Sequence, residues 1–423
     1  MAMKLPTFLL LIFIAAFSVR AVAVVALRNV HTGPDSSFGA DGKDFDAFAT
    51  SMAEGRGYGW SPNQPTSFRA PGFPLLLAAI YATAGRHYPL VYVVFCAIGA
   101  AACVLTYAVA SELLAERTAR WAAILSVFYV PDIYFATEFA SESLFVLLLA
   151  LATWLFLRSL RTASIAALAI AAISLGFGVL TRPFALLLVP LFAGVLCWQL
   201  WRLHSSSWIR VALFLGLCLL AIAPWTWRNY RVHHHLVLVA TNGGSTFYGA
   251  NNDRVLHDRW YRGGWISTTE LPHRDWIDAA PTEYDHDQVE WQLGKHWVKD
   301  HLKSIPLLSL FKLVRLALPD IASANRKYAA VQVIGYTPYL CLFIVGIVQM
   351  FRNGGYLAPK WCMMHGIILA TVLTALIFWG SPRFRDANMP VLMIYAAVGL
   401  CGRSISPAPK PAEELLAPML VAT

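Results

Sequence analysis

Long runs of apolar residues, separated by short polar segments, make up most of this chain. A run of roughly 17–25 apolar residues is long enough to cross a bilayer as an α-helix. Runs close to this length predict about ten transmembrane helices, over residues 6–27, 88–111, 119–136, 142–158, 164–181, 184–201, 211–227, 331–351, 361–379 and 388–402. The runs do not show the alternation that marks the strands of a membrane β-barrel. The pattern therefore predicts an all-α polytopic membrane protein.

The first apolar run, residues 6–27, has two interpretations. Its segment "AVA" resembles the cleavage site of a secretory signal peptide. However, Arg20 interrupts the run, and the apolar residues continue to Leu27. These two features favour an uncleaved first membrane span over a signal peptide.

Two long polar segments, residues 28–87 and 228–330, interrupt the series of apolar runs. The first ends in "RAPGFPLLLAAIYATAG", a short apolar piece with prolines at its start, for which we expect a helix at the membrane face. In the second, residues 283–318 are predicted to be helical. Lys312 and Arg315 interrupt its apolar run, as expected of an interfacial helix.

The composition agrees with a membrane protein. Hydrophobic residues make up 58% of the chain and charged residues 13%, whereas soluble proteins carry about 25% charged residues. A net charge of +9 in a soluble protein would suggest nucleic acid, but in a membrane protein lysine and arginine collect in cytoplasmic loops. We therefore expect no nucleic-acid partner. The seven cysteines lie in apolar stretches without a CxxC spacing, which argues against a disulfide framework or a cysteine metal site.

The distribution of lysine and arginine predicts the orientation of the chain. If both termini are cytoplasmic, the basic residues of the short segments lie on the cytoplasmic side: Lys4, Arg117, Arg120, Arg158, Arg161, Arg202, Arg210, Arg352, Lys360, Arg403 and Lys410. Four segments then lie on the opposite side, at residues 28–87, 180–183, 228–330 and 380–387.

Three aspartates lie close together in "DGKDFDAFATSMAEGRGY", directly after the first apolar segment. Asp41 and Asp44 have the i, i+3 spacing, so they can lie on one face of a helix. Asp46 cannot lie on the same face as both of them. A carboxylate beside the membrane and next to Phe45 and Phe48 can gain proton affinity, which suits a general base. The alternative is a solvated helix start, where the helix dipole favours acids.

A second acidic pair lies in "YFATEFASESLF", where Glu138 and Glu142 have the i, i+4 spacing of one helical face. The pair is predicted at the outer end of a span. Acids so close to lipid usually face the protein interior or a cavity. A position at the membrane boundary is the alternative.

Four arginines lie at the predicted outer ends of spans, within "SFRAPGFP", "LTRPF" and "GSPRFRDANMP". They are Arg69, Arg182, Arg383 and Arg385. Because arginine binds phosphate through paired, planar hydrogen bonds, these side chains are candidates for binding an anionic lipid headgroup. Interfacial snorkelling explains any single one of them equally well.

The three histidines at 233–235 are the other candidate for chemistry, as metal ligands. Consecutive side chains point in different directions and lack the i, i+4 spacing of helical metal ligands. We therefore predict no metal site at these histidines.

The order of these motifs resembles that of the bacterial family 39 glycosyltransferases of the GT-C superfamily, relatives of protein O-mannosyltransferases and of the lipid A aminoarabinose transferase. The likeness extends over about residues 20–400. It rests on an arginine in the first span, an aspartate before "EGRGY", then "RAPGFP", "SESLF", "TRP", "PWTWRN", a Gly/Asn run and "PRFR".

The resemblance implies a GT-C-like bundle that transfers a sugar from a polyprenyl-phosphate donor outside the cytoplasmic membrane, by an inverting displacement. The acceptor would be a glycolipid, a polysaccharide or a protein. Counting back from "EGRGY", the family's general base corresponds to Asp41, with Asp44 as the second candidate and Glu142 at the second acidic position. The arginines would stabilise the leaving phosphate. No cofactor is implied, and because some relatives use metals, dependence on a divalent ion stays open.

Two other functions fit the composition. A lipid or sugar transporter or flippase is also a polytopic bundle with charged residues in a cavity, but no broken-helix pairs or internal repeats are visible. A non-catalytic membrane scaffold would fit the composition, but it would not explain why the charged motifs occur in this order along the chain. We expect one transferase domain over residues 1–402 and a disordered cytoplasmic tail over residues 403–423.

Overall fold

Helices account for nearly all the regular structure of this chain. The computed structural model describes residues 3–34, 41–319, 326–353 and 358–402. The tail predicted over residues 403–423 lies outside these ranges. A short antiparallel hairpin, β1 (Gly59–Ser61) and β2 (Gln64–Pro65), pairs Gly59 with Pro65 and Ser61 with Gln64.

The α-helices are numbered in chain order. Those before residue 203 are α1 (Leu5–Leu27), α2 (Asp41–Ala53), α3 (Gly72–Ala84), α4 (Tyr88–Ser111), α5 (Glu116–Val127), α6 (Val130–Phe135), α7 (Glu142–Thr162), α8 (Ile165–Thr181) and α9 (Leu188–Arg202). Those after it are α10 (Ile209–His233), α11 (Gly243–Ala250), α12 (Asp253–His257), α13 (Arg274–Asp278), α14 (Glu283–Asp300), α15 (Ile305–Ala317), α16 (Arg326–Asn353), α17 (Pro359–Ile377), α18 (Pro382–Asp386) and α19 (Met389–Cys401). Short 3₁₀ turns lie at Pro183–Leu187 and Thr268–Glu270.

Within the described residues, seven helical segments are long and apolar enough to cross a membrane, and the chain is a multi-pass membrane protein. They are Leu5–Leu27, Tyr88–Ser111, Glu142–Thr162, Pro183–Arg202, Ile209–His233, Ala329–Arg352 and Pro359–Ile377. Three shorter apolar helices, α3, α8 and α19, accompany them. Two of the ten predicted spans, 164–181 and 388–402, are among these shorter helices.

One predicted span, residues 119–136, is wrong as a continuous helix. The structure divides it into α5 and α6, and Tyr129 between them has an extended conformation. Pro131 explains the break, because it has no amide hydrogen to donate and its ring clashes with the carbonyl four residues earlier. Neither piece has the length of a membrane span.

Small residues and aromatic rings pack the bundle. A Cβ atom on Gly346 of α16 would lie 1.9 Å from the Tyr395 carbonyl oxygen, so α16 and α19 approach at backbone distance. Phe156 packs between Phe192 and Phe214, with ring centroids 4.8 and 5.6 Å away. Close backbone contact and dense packing are what hold helices together in lipid, where apolar burial supplies little driving force between them.

A buried ion pair connects α1 to α6. The Arg20 guanidinium contacts the Asp132 carboxylate, and both side chains are almost completely inaccessible to solvent. Gly99 leaves the space for it, since a Cβ atom there would lie 2.3 Å from Arg20 Nε. Removing one partner of such a pair leaves an uncompensated buried charge, at a cost of roughly 3–5 kcal/mol. The arginine in the first span therefore stabilises the packing of the bundle.

Residues 41–87 and 234–319 lie together at one end of the bundle, which we call the loop end. Glu283 of α14 connects the two segments, accepting hydrogen bonds from Thr66 Oγ1 at 2.5 Å and the Ser67 amide at 2.8 Å. Arg228, at the end of α10, donates to the Thr66 carbonyl oxygen at 2.7 Å. These contacts hold the first loop against the long segment and so fix the surroundings of its acids.

Candidate active site

Arg69 contacts both of the acids in the first turn of α2, Asp41 and Asp44. Arg69 donates from Nε and Nη2 to Asp44 Oδ2, at 3.0 and 2.9 Å. Its Nη2 atom also lies 2.9 Å from Asp41 Oδ1. Gly72 allows this arrangement, because a Cβ atom there would lie 2.4 Å from Thr181 Oγ1 at the end of α8. The close approach brings Arg69 towards the arginine that follows Thr181.

Two more arginines extend the contacts to Glu142. Arg383 donates from Nη1 to Asp41 Oδ2 at 3.1 Å and from Nε to Glu142 Oε1 at 2.5 Å. Arg182 Nη1 lies 2.8 Å from the same Glu142 oxygen. Three guanidinium groups therefore alternate with three carboxylates. We call this set the arginine–carboxylate cluster; in order of contact it consists of Asp44, Arg69, Asp41, Arg383, Glu142 and Arg182.

The carboxylates of the cluster differ in their exposure to solvent. The Asp41 side chain is 22% exposed, whereas the Glu142 side chain is 0% exposed. Among the described residues, Glu142 Oε2 and Arg182 Nε are buried without a hydrogen-bond partner. Buried polar atoms without a partner carry a desolvation cost. A solute can thus reach Asp41, and the pair of Glu142 and Arg182 has unused hydrogen-bonding capacity.

The environment of Asp44 favours its protonated form. Burial raises the pKa of the Asp44 carboxyl, the charge of Arg69 and its hydrogen bonds oppose this effect, and the nearby Asp41 adds to it. Asp44 therefore binds a proton more readily than an ordinary aspartate.

The third aspartate of the motif has a separate set of partners. Asp46 accepts a hydrogen bond of 2.5 Å from the Tyr81 hydroxyl and contacts Arg86. These contacts connect α2 to α3 and to the start of α4. Asp46 is thus a structural residue, as its sequence position relative to Asp41 and Asp44 suggests.

The prediction that Glu138 and Glu142 share one helical face is wrong. Residues 136–141 form turns between α6 and α7, and α7 begins at Glu142. Glu138 pairs with Arg28, which also donates from Nε to the Thr137 carbonyl oxygen at 2.8 Å. Only Glu142 joins the cluster, where the start of α7 favours a negative charge.

Arg385 does not join the other three predicted arginines. It lies two residues after Arg383 on α18, and side chains at i and i+2 leave a helix in different directions. Arg385 donates to Asp386 Oδ1 at 2.9 Å and to the Leu316 carbonyl oxygen at 3.0 Å, and it lies 3.3 Å from the Tyr336 ring centroid. It connects α15, α16 and α18, which corrects the expectation that it would accompany Arg383.

A cavity of about 380 Å³ opens beside the cluster. Its lining residues are Trp60, Phe68, Pro281, Thr282, Glu283 and His286. Phe68 precedes Arg69 in the chain, and the Arg69 guanidinium lies 4.8 Å from the Phe68 ring centroid. None of the sequence motifs predicts this cavity. The one feature of the sequence that could have indicated it is a tryptophan in the turn-rich segment "GWSPNQ".

The histidines at 233–235 diverge, as the sequence predicts for consecutive residues. The His233 ring is hydrogen-bonded to Ser67 Oγ at 2.8 Å, while His235 stacks on Tyr284 at 4.1 Å between centroids. In the described part of the chain, no group of three or more His, Cys, Asp and Glu side chains is arranged to hold a metal ion.

Two buried acids of α14 lie elsewhere at the loop end. Asp287 accepts a hydrogen bond of 2.6 Å from the Gly244 amide at the start of α11, and Glu290 accepts one of 2.7 Å from Thr268 Oγ1. Burial raises the pKa of Asp287 to about 6 and that of Glu290 to about 7. The charge of Asp287 adds to the shift of Glu290. Both acids are therefore protonated more readily in the folded chain.

The family model described as dolichyl-phosphate-mannose-protein mannosyltransferase matches residues 68–227. This match confirms, over those residues, the resemblance inferred from the ordered motifs. No curated protein was found to match the chain.

Solved structures of an archaeal oligosaccharyltransferase have a similar fold. An oligosaccharyltransferase from Archaeoglobus fulgidus in complex with Zn and sulfate has a TM-score of 0.55 at 12% identity, covering 98% of this chain and 51% of that one. The same oligosaccharyltransferase tethered to an acceptor peptide has a TM-score of 0.50 at 13% identity, with coverages of 93% and 49%. ArnT from Cupriavidus metallidurans bound to undecaprenyl phosphate has a TM-score of 0.47 at 13% identity, with coverages of 99% and 81%.

The likeness to the Archaeoglobus fulgidus structure with a TM-score of 0.55, together with the apolar helices, confirms the predicted fold class, an all-α polytopic bundle. At such low identity the likeness is one of fold. The chain spans about half of the length of the archaeal oligosaccharyltransferase.

The buried acids Asp287 and Glu290 predict that the loop end is less stable at higher pH. Because their pKa values are raised in the fold, the stability they contribute is complete below the unfolded values of about 4. It is lost as pH rises through about 6 and 7. Local opening of α11 and α14 should increase by up to about tenfold per pH unit for each proton released. Amide hydrogen exchange at pH 5 and pH 8, corrected for intrinsic rates, measures this opening.

The double variant Asp287→Asn, Glu290→Gln should lose most of this pH dependence. Glu270→Gln, which changes an exposed acid of the same segment, should retain it. Equal protection at both pH values in the unsubstituted protein would contradict the prediction.

Proposed function

We propose that this protein is a membrane glycosyltransferase that moves a sugar from a polyprenyl-phosphate donor to a hydroxyl acceptor by an inverting displacement. The observation that carries the proposal is the arginine–carboxylate cluster, in which Arg69, Arg182 and Arg383 converge on Asp41 and Glu142. The description of the family model over residues 68–227, which names a dolichyl-phosphate-linked sugar, supports a donor of this class.

The three arginines would bind the phosphate of the donor. They come from three separate segments of the chain, and each already makes charge-assisted contacts with carboxylates in the cluster. Arginine donates to phosphate with the same planar pairs of N–H groups. Donor binding would exchange part of the carboxylate contacts for phosphate contacts and would use the free Arg182 Nε. Each such contact is worth roughly 1.5–3 kcal/mol.

Asp41 is the general base of the proposal, because it is the most exposed of the three carboxylates in the cluster. The acceptor oxygen attacks the anomeric carbon from the side opposite the phosphate, and the acceptor proton passes to the Asp41 carboxylate. The bond between the anomeric carbon and the phosphate oxygen breaks, and its electron pair leaves with the polyprenyl phosphate. Arg69 and Arg383 stabilise the negative charge that grows on that oxygen.

Glu142 and Asp44 act as positioning residues. The buried Glu142 carboxylate holds Arg182 and Arg383 together through one oxygen. Asp44 fixes Arg69 from the side opposite Asp41 and is the second candidate for the base. Without these two carboxylates, the guanidinium groups would repel one another.

A divalent metal does not fit the cluster as it is arranged. One Archaeoglobus fulgidus structure contains Zn, and carboxylates are suitable ligands for hard cations. In this chain, however, the Arg383 guanidinium lies between Asp41 and Glu142, where such an ion would bind. The proposed mechanism therefore contains no step through a metal, and no cofactor takes part in it.

The proposed acceptor is a glycolipid, a polysaccharide or a protein, and the proposed transferase domain comprises residues 1–402. The alternative of a lipid or sugar transporter or flippase gains no support from any contact among the described residues. The cluster instead provides a base and a phosphate-binding set beside each other, which a transferase requires.

We further propose that the protein lies in the cytoplasmic membrane with the cluster on the extracytoplasmic side. The asymmetric distribution of lysine and arginine supports this orientation. Reporter fusions after residues 205 and 260 should report opposite sides of the membrane, with residue 260 outside. A cytoplasmic signal from the fusion at 260 would contradict the proposal for the active-site side.

Asp41→Asn should lower the rate of sugar transfer by about 10²–10⁴-fold, because the amide cannot accept the acceptor proton. The KM for the donor should change little, since the three arginines remain. Transfer from a radiolabelled polyprenyl-phosphate sugar to endogenous acceptors, in membranes containing the protein, measures this rate.

Asp44→Asn is the matched control. Asp44 lies on the same helix as Asp41 and contacts the same arginine, Arg69. Its effect on the rate should be much smaller. If Asp44→Asn abolishes transfer and Asp41→Asn does not, the base is Asp44 and the assignment of Asp41 is wrong.

A further inference from the structure

We propose that the cavity beside the cluster binds a neutral carbohydrate ring of the acceptor; this inference rests on the proposed function. We call the cavity the acceptor pocket, with Trp60, Phe68, Pro281, Thr282, Glu283 and His286 as its lining. Its volume of about 380 Å³ lies within the roughly 300–1,000 Å³ of small-molecule sites.

One wall of the acceptor pocket is an indole in a fixed position. Trp60 lies on β1 and packs edge-on against Phe48 of α2, with ring centroids 4.6 Å apart. The Phe68 ring centroid lies 6.4 Å from that of Trp60, with the two rings tilted. Trp60 is nevertheless 50% exposed. A rigid aromatic face that stays accessible suits the C–H groups of a sugar ring, which pack on aromatic faces through weak C–H contacts.

The other wall supplies acceptors for hydroxyl groups. Glu283 is fixed by three donors, Thr66, Ser67 and Thr241, and its two carboxylate oxygens have further lone pairs. His286 Nε2 lies 2.9 Å from the Ala280 carbonyl oxygen, so Nε2 is the donor and, in the neutral ring, Nδ1 is an acceptor. A polyhydroxylated ligand provides the donors that both groups require.

The charge of the acceptor pocket distinguishes it from the donor site. None of its lining residues is a lysine or an arginine, and it contains a carboxylate. Its lining offers no lysine or arginine to a phosphate group, whereas the cluster offers three arginines. The two neighbouring sites therefore select different ligands: an anionic donor and a neutral acceptor.

The same short segments build both sites. Phe68 lines the acceptor pocket, and Arg69, the next residue, contacts Asp41 and Asp44. Phe48, which supports Trp60, lies on α2 together with those aspartates. A sugar ring on Trp60 is thus held beside the proposed base, and the acceptor pocket orients the attacking hydroxyl.

Binding of saccharides to the full chain in phospholipid nanodiscs tests this inference. The probes are neutral trisaccharides of different sugar and linkage: maltotriose, cellotriose, mannotriose and chitotriose. We expect at least one to bind with a millimolar dissociation constant in saturation-transfer NMR or calorimetry. Trp60→Ala should weaken that binding at least tenfold, while Trp60→Phe should retain part of it.

Trp276→Ala is the matched control, because Trp276 is 57% exposed at the loop end and outside the acceptor pocket. It should leave binding unchanged. His286→Ala removes one hydroxyl acceptor without touching the Phe48 contact and should also weaken binding, with an unchanged melting temperature. This second variant keeps the test decisive if Trp60→Ala fails to fold.

The Asp41→Asn variant should bind the trisaccharide as the unsubstituted protein does. A wrong assignment of the base therefore changes the transfer assay, whereas a wrong assignment of the acceptor pocket changes the binding assay. The proposal is overturned if none of the trisaccharides binds, or if binding survives Trp60→Ala and His286→Ala. It is also overturned if serine- and threonine-containing peptides, and not saccharides, bind in a Trp60-dependent way.

Discussion

The contact of Arg383 with two carboxylates is the interaction on which the loop end of this protein depends. Asp41, Glu142 and Arg383 come from α2, α7 and α18, and Arg383 lies 342 residues after Asp41 in the chain. A charged side chain at the edge of a membrane bundle is costly unless it is paired. Here each charge compensates the next, and the ends of three helices are held together as a result. The same arrangement leaves three guanidinium groups side by side, whose N–H donors a phosphate can share with the carboxylates.

Much of this arrangement could be predicted from the sequence, because its causes are local. The length of the apolar runs predicts most of the helices, and the order of the short motifs indicates the GT-C-type fold. The motifs also predict that Arg69, Arg182 and Arg383 lie near Asp41 and Glu142. The structure brings these five side chains into one cluster. Their chemical roles stay predictions until the variants are measured.

Three predictions from the sequence are wrong, each for an identifiable structural reason. Residues 119–136 have the apolar composition of a span, but Pro131 breaks the helix. Glu138 and Glu142 have a helical spacing, yet a turn separates them. Arg385 shares a motif with Arg383, but the i, i+2 geometry directs it to Asp386 and away from the cluster. The acceptor pocket could not be predicted at all, because Trp60 and Glu283 meet only through the folding of distant segments.

Electron cryo-microscopy of the full chain in nanodiscs with an added polyprenyl phosphate is the measurement that tests the central claim most directly. Phosphate density should lie at hydrogen-bond distance, about 3 Å, from Arg383 and from at least one of Arg69 and Arg182. Asp41 should then have lost part of its arginine contacts and should face the acceptor pocket. Phosphate bound elsewhere on the protein, with the contacts between Arg383, Asp41 and Glu142 unchanged, would contradict the account.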